Sequence, residues 1–228
     1  MMMTVIIDVN GLIMGVIYEW YSGDLPQAGH PKTRVMKVTK QQAQANRARI
    51  VETASTLFRE RGYDGVGVAD LMAAAGFTHG GFYKHFGSKT DLMAEAAACG
   101  LANSADAAIS SDLPDFMSHY VSREHRDNPG SGCTMAALCA DAARQPESVK
   151  AAFAAGIERQ LSAPARKEQP PHESETDEMR ARRIVLMAQA VGAVVLSRSC
   201  PDDSRLADEI LDVCRAHILA RLSSEQPA

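Results

Sequence analysis

Apolar residues recur at three- and four-residue steps between Gln42 and Arg61, where Ile50, Val51, Ala54, Leu57 and Phe58 make one stripe of an amphipathic helix. Gly62 ends that helix, and Arg59 and Arg61 place cations in its last turn, where the helix dipole favours them. A second short helix is predicted from Val68 to Ala74, closed by Gly76. Thr78 can cap a third that runs to Gly87. Ser88 then caps a fourth, with Asp91 at the third helical position as in a capping box. Beyond Lys89 the helical period continues over 89–110, 114–127, 132–143, 146–162, 176–199 and 203–222. Its breaks fall at Pro114, Pro129-Gly130, Pro146, the polar stretch 164–175 and Pro201. No segment alternates with the period of two that a half-buried strand needs. The predicted class is all-α: an N-terminal three-helix unit with helix-turn-helix spacing, followed by a larger helical domain.

Composition agrees with a globular helical chain. Of 228 residues, 46% are hydrophobic, 23% charged and only 5% aromatic, with 11 methionines, so the core is built from small and flexible side chains. The net charge of −4 says nothing for nucleic acid, but its distribution does. Between Asp24 and Glu52 no acidic residue occurs, while Lys32, Arg34, Lys37, Lys40, Arg47 and Arg49 all fall there. That run reads either as a solvated tail or as an arm beside a polyanion. The five cysteines, Cys99, Cys133, Cys139, Cys200 and Cys214, are odd in number and include no CxxC pair, so neither a disulfide framework nor a zinc site is expected. The apolar run Val5 to Trp20 is short and interrupted by Asp8, Asn10 and Glu19, so neither a secretory signal nor a membrane span is expected, and a cytoplasmic location follows. Gly23, Pro26, Gly29 and Pro31 break any helix in the first 35 residues, which read as a poorly ordered extension. Neither HExxH, GxSxG nor a phosphate loop is present, and His119 and His125, six apart, read as surface histidines of one helix. No catalytic residue, metal ligand or cofactor is expected.

The segment from Ala75-Gly76-Phe77-Thr78-His79-Gly80-Gly81-Phe82 through Tyr83-Lys84-His85-Phe86-Gly87-Ser88-Lys89-Thr90-Asp91-Leu92 resembles the DNA-reading signature of the TetR family. The likeness is close over residues 40–95 and looser to the C-terminus. Phe82 and Phe86, four apart, suit packing of a recognition helix onto its scaffold. Tyr83, Lys84 and His85 then lie on or beside the opposite face. The resemblance implies phosphate contacts from Tyr83, Lys84 and Lys89, and base or phosphate contacts from Thr78 and His79. Gly80 and Gly81 each cost a helix roughly 1 kcal/mol relative to Ala, a sacrifice that suits close approach of backbone to DNA. Lys40 and Arg47 read as part of the basic arm. Two positions depart from the family pattern: Val68 stands where a capping Thr is usual, and Gly81 replaces a common Thr, Ser or Ala.

Gly132-Cys133-Thr134 through Leu138, and Ala151 to Gln160, resemble the middle of the ligand-binding domain in a subgroup of that family with a Gly-Cys motif. Candidate linings of an effector pocket are Phe116, Met117, Tyr120, Cys133, Met135, Leu138, Phe153 and Met187, an apolar set suited to an apolar or aromatic small molecule. Cys133, just after Gly132 at a helix N-terminus, is also a candidate thiol sensor of electrophiles or oxidants. Ile184, Ala188, Val191 and Val195 on one helix, with Leu211 and Ile218 on the last, are expected at a homodimer interface that the resemblance makes a four-helix bundle. The expected organisation is therefore an extension over 1–35, a DNA-binding domain over 36–88, an effector-binding and dimerisation domain over 89–222, and a tail over 223–228. The resemblance implies a repressor that leaves a near-palindromic double-stranded operator when its effector binds. A transcriptional activator of the same fold, or a Cys133-based sensor, is the alternative.

Overall fold

The computed structural model describes residues 5–7, 13–16, 39–162 and 176–224. Two compact units arise, Met1–Val38 and Thr39–Ala228. In the first, strands β1 (Val5–Ile7) and β2 (Ile13–Val16) pair antiparallel, with Val5 opposite Val16 and Ile7 opposite Ile13. Sequence pattern gives no sign of this ribbon, because two runs of three and four residues are too short to show a period. The rest of the proposed extension, including Lys32, Arg34 and Lys37 of the basic run, lies outside the described residues, as do 225–228 of the tail.

The second unit is helical throughout its described residues. Helix α1 (Lys40–Arg61) opens where the Thr39 hydroxyl accepts the Gln42 N–H at 3.1 Å, and stops at Gly62, whose φ of +72° glycine adopts without strain. Helix α2 (Val68–Ala74) is followed by Gly76 at φ +82°. The third helix departs from expectation: His79–Lys84 is a 3-10 helix and not an α-helix reaching Gly87. Two adjacent glycines weaken the α form, and Thr78, although at the N-cap, makes no side-chain capping bond. Helix α3 (Lys89–Ser110) begins as the pattern predicts, with the Ser88 hydroxyl accepting the Asp91 N–H at 3.1 Å.

The predicted helix 114–127 is two: α4 (Leu113–Tyr120) and α5 (Arg123–Asp127). Val121 leaves helical geometry to bury itself fully, and Ser122 re-caps the chain by accepting the His125 N–H at 3.2 Å. A 3-10 turn at Pro129–Ser131 leads into α6 (Thr134–Ala142), α7 (Glu147–Leu161), α8 (Asp177–Arg198) and α9 (Arg205–Ser224). Helix α3 is the central strut, packed on α1 along one side and on α7 along another, while α8 packs on α9. Close approach is secured by small residues: a Cβ at Gly156 of α7 would sit 2.7 Å from the Leu101 Cβ of α3. One hydrophobic cluster runs from Ile50, Phe58 and Leu71 through Leu101 and Leu138 to Val194 and Ile218, so the first helices and the later ones share a core. Among the described residues no helix is long and apolar enough to cross a membrane.

Candidate functional site

The face around His79–Lys84 is organised by two buried rings. Phe82 and Phe86 lie 5.5 Å apart between centroids and are sealed in the core, which turns Tyr83 outward to 69% exposure. Thr78, His79, Gly80 and Lys84 are exposed on the same segment, with Gly81 and His85 half-buried and Lys40 exposed at the start of α1. A Cβ at Gly80 would meet nothing within 4 Å, so nothing within the described protein itself demands glycine there.

Arg47, read from the sequence as part of the basic arm, is engaged within the protein. Its two terminal nitrogens donate to both carboxylate oxygens of Glu95, its Nε donates to the His85 carbonyl at 3.3 Å, and its guanidinium lies 4.6 Å from the Phe86 ring centroid. The side chain ties α1 to α3 and to the end of the 3-10 helix through a bidentate pair with Glu95. Glu95 is the residue that sequence reasoning missed: 48 positions from Arg47, it carries no local signal. Lys89 is also engaged internally, its ammonium donating to the Tyr63 carbonyl at 2.6 Å.

A cavity of about 410 Å³ opens between α3, α4, α7 and α8 and the start of α6. Six of the proposed pocket residues line it: Phe116, Met117, Tyr120, Cys133, Met135 and Met187. Leu138 and Phe153 do not; both are core residues, set where α6 and α7 close on the rest of the bundle. The wall also holds polar groups that no apolar pattern marks: Arg59, Asn103, Ser104, His119, His125, Gln160 and Arg183.

His125 is not on the surface. It is 7% exposed, and its Nδ1 lies 2.7 Å from the Tyr120 carbonyl while its Nε2 faces the Cys133 N–H at 3.0 Å. A backbone N–H can only donate, so Nε2 accepts and the proton sits on Nδ1, where it is donated to Tyr120. Burial lowers its pKa, and the Arg198 charge pushes the same way against the raising effect of the Tyr120 carbonyl. Burial likewise raises the Tyr120 phenol well above its ordinary value. Its hydroxyl is buried without a hydrogen-bond partner, as are Thr134 Oγ1 and Arg198 Nη1. Arg59 reaches the wall from α1, donating to the Gly130 carbonyl from Nε at 3.0 Å and to Ser55 Oγ from Nη1 at 2.7 Å. Among the described residues no group of three metal-ligating side chains gathers.

Helices α8 and α9 carry a third feature. Ile184, Val185, Ala188, Val195 and Leu196 of α8 are exposed at helical spacing, and Leu206 and Val213 are exposed on α9. Leu211 and Ile218, expected at a subunit contact, are instead 2% and 1% exposed and face inward, because α9 uses that stripe to pack within its own chain. Val191 is half-buried and lines the cavity.

Comparison with known proteins bears on the first of these features most directly. Residues 50–96 match the family described as bacterial regulatory proteins, tetR family. The transcriptional regulator AcrR of Shigella flexneri is 40% identical over 57 residues, 25% of this chain and 26% of the relative. The regulator TtgR of Pseudomonas putida is 39% identical over 59 residues, 26% of this chain and 28% of the relative. The chain thus spans about a quarter of the length of these curated relatives. Solved structures extend the likeness in fold. E. coli NemR in its reduced form superposes with a TM-score of 0.58 at 20% identity, over 76% of this chain and 95% of that one. A TetR-family regulator from Agrobacterium tumefaciens gives 0.54 at 23% identity, over 78% and 98%.

Proposed function

We propose, from the premise that residues 50–96 form a tetR-family regulatory domain, that this chain is a dimeric, sequence-specific DNA-binding repressor released by a small-molecule effector. The observation that carries the reading is the exposed row Thr78, His79, Tyr83 and Lys84, held rigidly over the buried Phe82–Phe86 pair. The short helix enters the major groove N-terminus first, with Thr78 and His79 at base edges and Tyr83 and Lys84 at phosphates. Gly80 finds its reason in the bound state, where the DNA backbone comes close to a position that is open in the free protein. Lys40 and Lys89 add phosphate attraction, Lys89 from its place at the N-terminus of α3.

The apolar stripe of α8 and α9 supplies the homodimer contact, setting two heads at half-sites about 34–36 Å apart or slightly more. Helix α3 begins at the reading head and lines the cavity with Gly100, Asn103 and Ser104, so ligand there shifts the spacing of the heads. An effector that favours the non-binding state about 100-fold supplies about 2.7 kcal/mol of coupling. The reading places the protein in the cytoplasm, assigns it no catalytic activity, and sets it in the subgroup marked by Gly132-Cys133.

The test is selection of bound fragments from a random duplex pool at near-physiological salt. Enrichment of a near-palindrome is expected. Binding that is salt-sensitive but selects no sequence would reduce the reading head to a non-specific contact.

A second reading makes Cys133 a thiol sensor. It is favoured by one observation: the residue is 5% exposed yet lines the cavity, so a small electrophile entering there meets the thiol. Cys139 is a poor nucleophile, since burial pushes its thiol up to about 11. Release of operator by an electrophile that survives Cys133→Ser would exclude this reading.

A further inference from the structure

The wall of the cavity has a charge character that its apolar majority hides. Arg59 lines it, and among the described residues no Asp or Glu does. The bonds that Arg59 makes run to neutral groups: the Gly130 carbonyl and the hydroxyls of Ser55 and Thr56. The unpartnered polar atoms nearby lean the same way. Tyr120 is 8% exposed, lines the cavity, and presents a hydroxyl with no acceptor. Its neighbour Arg198 leaves one terminal nitrogen unpartnered, and Thr134, in the first turn of α6, leaves its hydroxyl so. An arginine can only donate, and the two hydroxyls are free to do so. The positive end of the α6 dipole opens at the same place. Leaving the hydroxyl of Tyr120, the one of these three residues that lines the cavity, unsatisfied is costly, and an acceptor that enters there removes that cost.

We infer that the cavity takes an organic anion with an aromatic or aliphatic body, its acid group at the wall that Arg59, Tyr120 and Cys133 line. The body lies against Phe116, Met117, Leu161, Leu186, Met187 and Val191. The volume of about 410 Å³ exceeds the roughly 150 Å³ that suits one benzene ring, so a two-ring acid fits. His125 does not compete for the acid, because its Nε2 is an acceptor already held by the Cys133 N–H. Arg59 belongs to α1, so the acid is met by the first helix of the reading head. The inference rests on the cavity being the effector site and adds the chemical class of what enters it.

The test is calorimetric titration of the full chain with 2-naphthoate and with its neutral amide, 2-naphthamide. Naphthoate is expected to bind at least tenfold more tightly. Tyr120→Phe removes only an unpartnered hydroxyl, so the fold persists while naphthoate affinity falls at least fivefold. Arg59→Gln is expected to narrow the preference for acid over amide toward unity. Equal affinity for the two probes, or tighter binding of the amide, would overturn the anionic class while leaving the cavity as an effector site. Undiminished naphthoate binding by Tyr120→Phe would overturn the placement of the acid. Binding of neither probe would also overturn the inference, and effector screens for DNA release then judge the cavity reading separately.

Discussion

Arg47 is a cation whose partners lie within the protein itself. Its bonds to Glu95 and His85 and its stacking on Phe86 fix the end of the 3-10 helix, so it positions Tyr83 and Lys84. Arg47→Ala is expected to lower stability by about 1 kcal/mol, the scale of a half-exposed ion pair with one ring contact. It should also weaken DNA binding while leaving the slope of log affinity against log salt unchanged. Lys84→Ala, by contrast, should reduce that slope by about 1, the loss of one phosphate contact. Equal slopes for the two variants would return Arg47 to the DNA interface. His125 makes a second prediction at this scale. Its pKa is lower in the folded protein than in the unfolded chain, so folding disfavours its protonation. Its contribution is complete above pH 6.5 and is lost as pH falls below that value toward the depressed folded pKa. The urea midpoint is therefore expected to drop between about pH 7.5 and about pH 5.5 by more in the parent protein than in His125→Gln. Identical drops would show that protonation of His125 does not oppose folding.

At the scale of elements, capping chemistry decides where helices begin, and packing decides where they bend. Thr39, Ser88, Ser122 and Thr176 each accept a backbone N–H three residues on, and the helix starts near Thr39, Ser88 and Thr176 are readable from local residue type and period. The break between α4 and α5 is not, since a Ser within a helical period is common and only the burial of Val121 selects this one as a cap. Gly156 is equally silent in the sequence. Alanine should favour α7 there by roughly 1 kcal/mol on propensity, yet its Cβ would press on Leu101 of α3. Overpacking of this kind costs typically about 1–3 kcal/mol, so Gly156→Ala is expected to lower the melting temperature. A raised melting temperature would mean that α7 shifts freely along α3.

For the whole molecule, the decisive surface is the pair α8 and α9. The apolar or small side chains of Ile184, Val185, Ala188, Val195, Leu196, Leu206 and Val213 remain in water on one chain. A patch of this kind marks an interaction site. Ile184→Arg is expected to convert a dimer into a monomer in sedimentation velocity, with the helix content by circular dichroism retained. A monomeric parent protein, or a variant that stays dimeric, would move the interface elsewhere. Loss of the dimer should also weaken binding to a near-palindrome far more than binding to a half-site, because only a dimer engages both halves together.

The helical class, most helix boundaries and the place of the segment that matches the tetR family were determined by the sequence itself, because each rests on local physics. Helical periodicity, glycine stops and hydroxyl caps act within a few residues, and the segment from Thr78 to Lys89 is continuous in the chain. Partnership across the chain was decided only by the tertiary structure. Arg47 and Lys40 look alike as basic residues, but only the packing of α1 on α3 brings Glu95 within reach of one of them. Leu211 and Val213 are both apolar residues of the last helix, and the side on which α8 packs determines that the first is core and the second is surface.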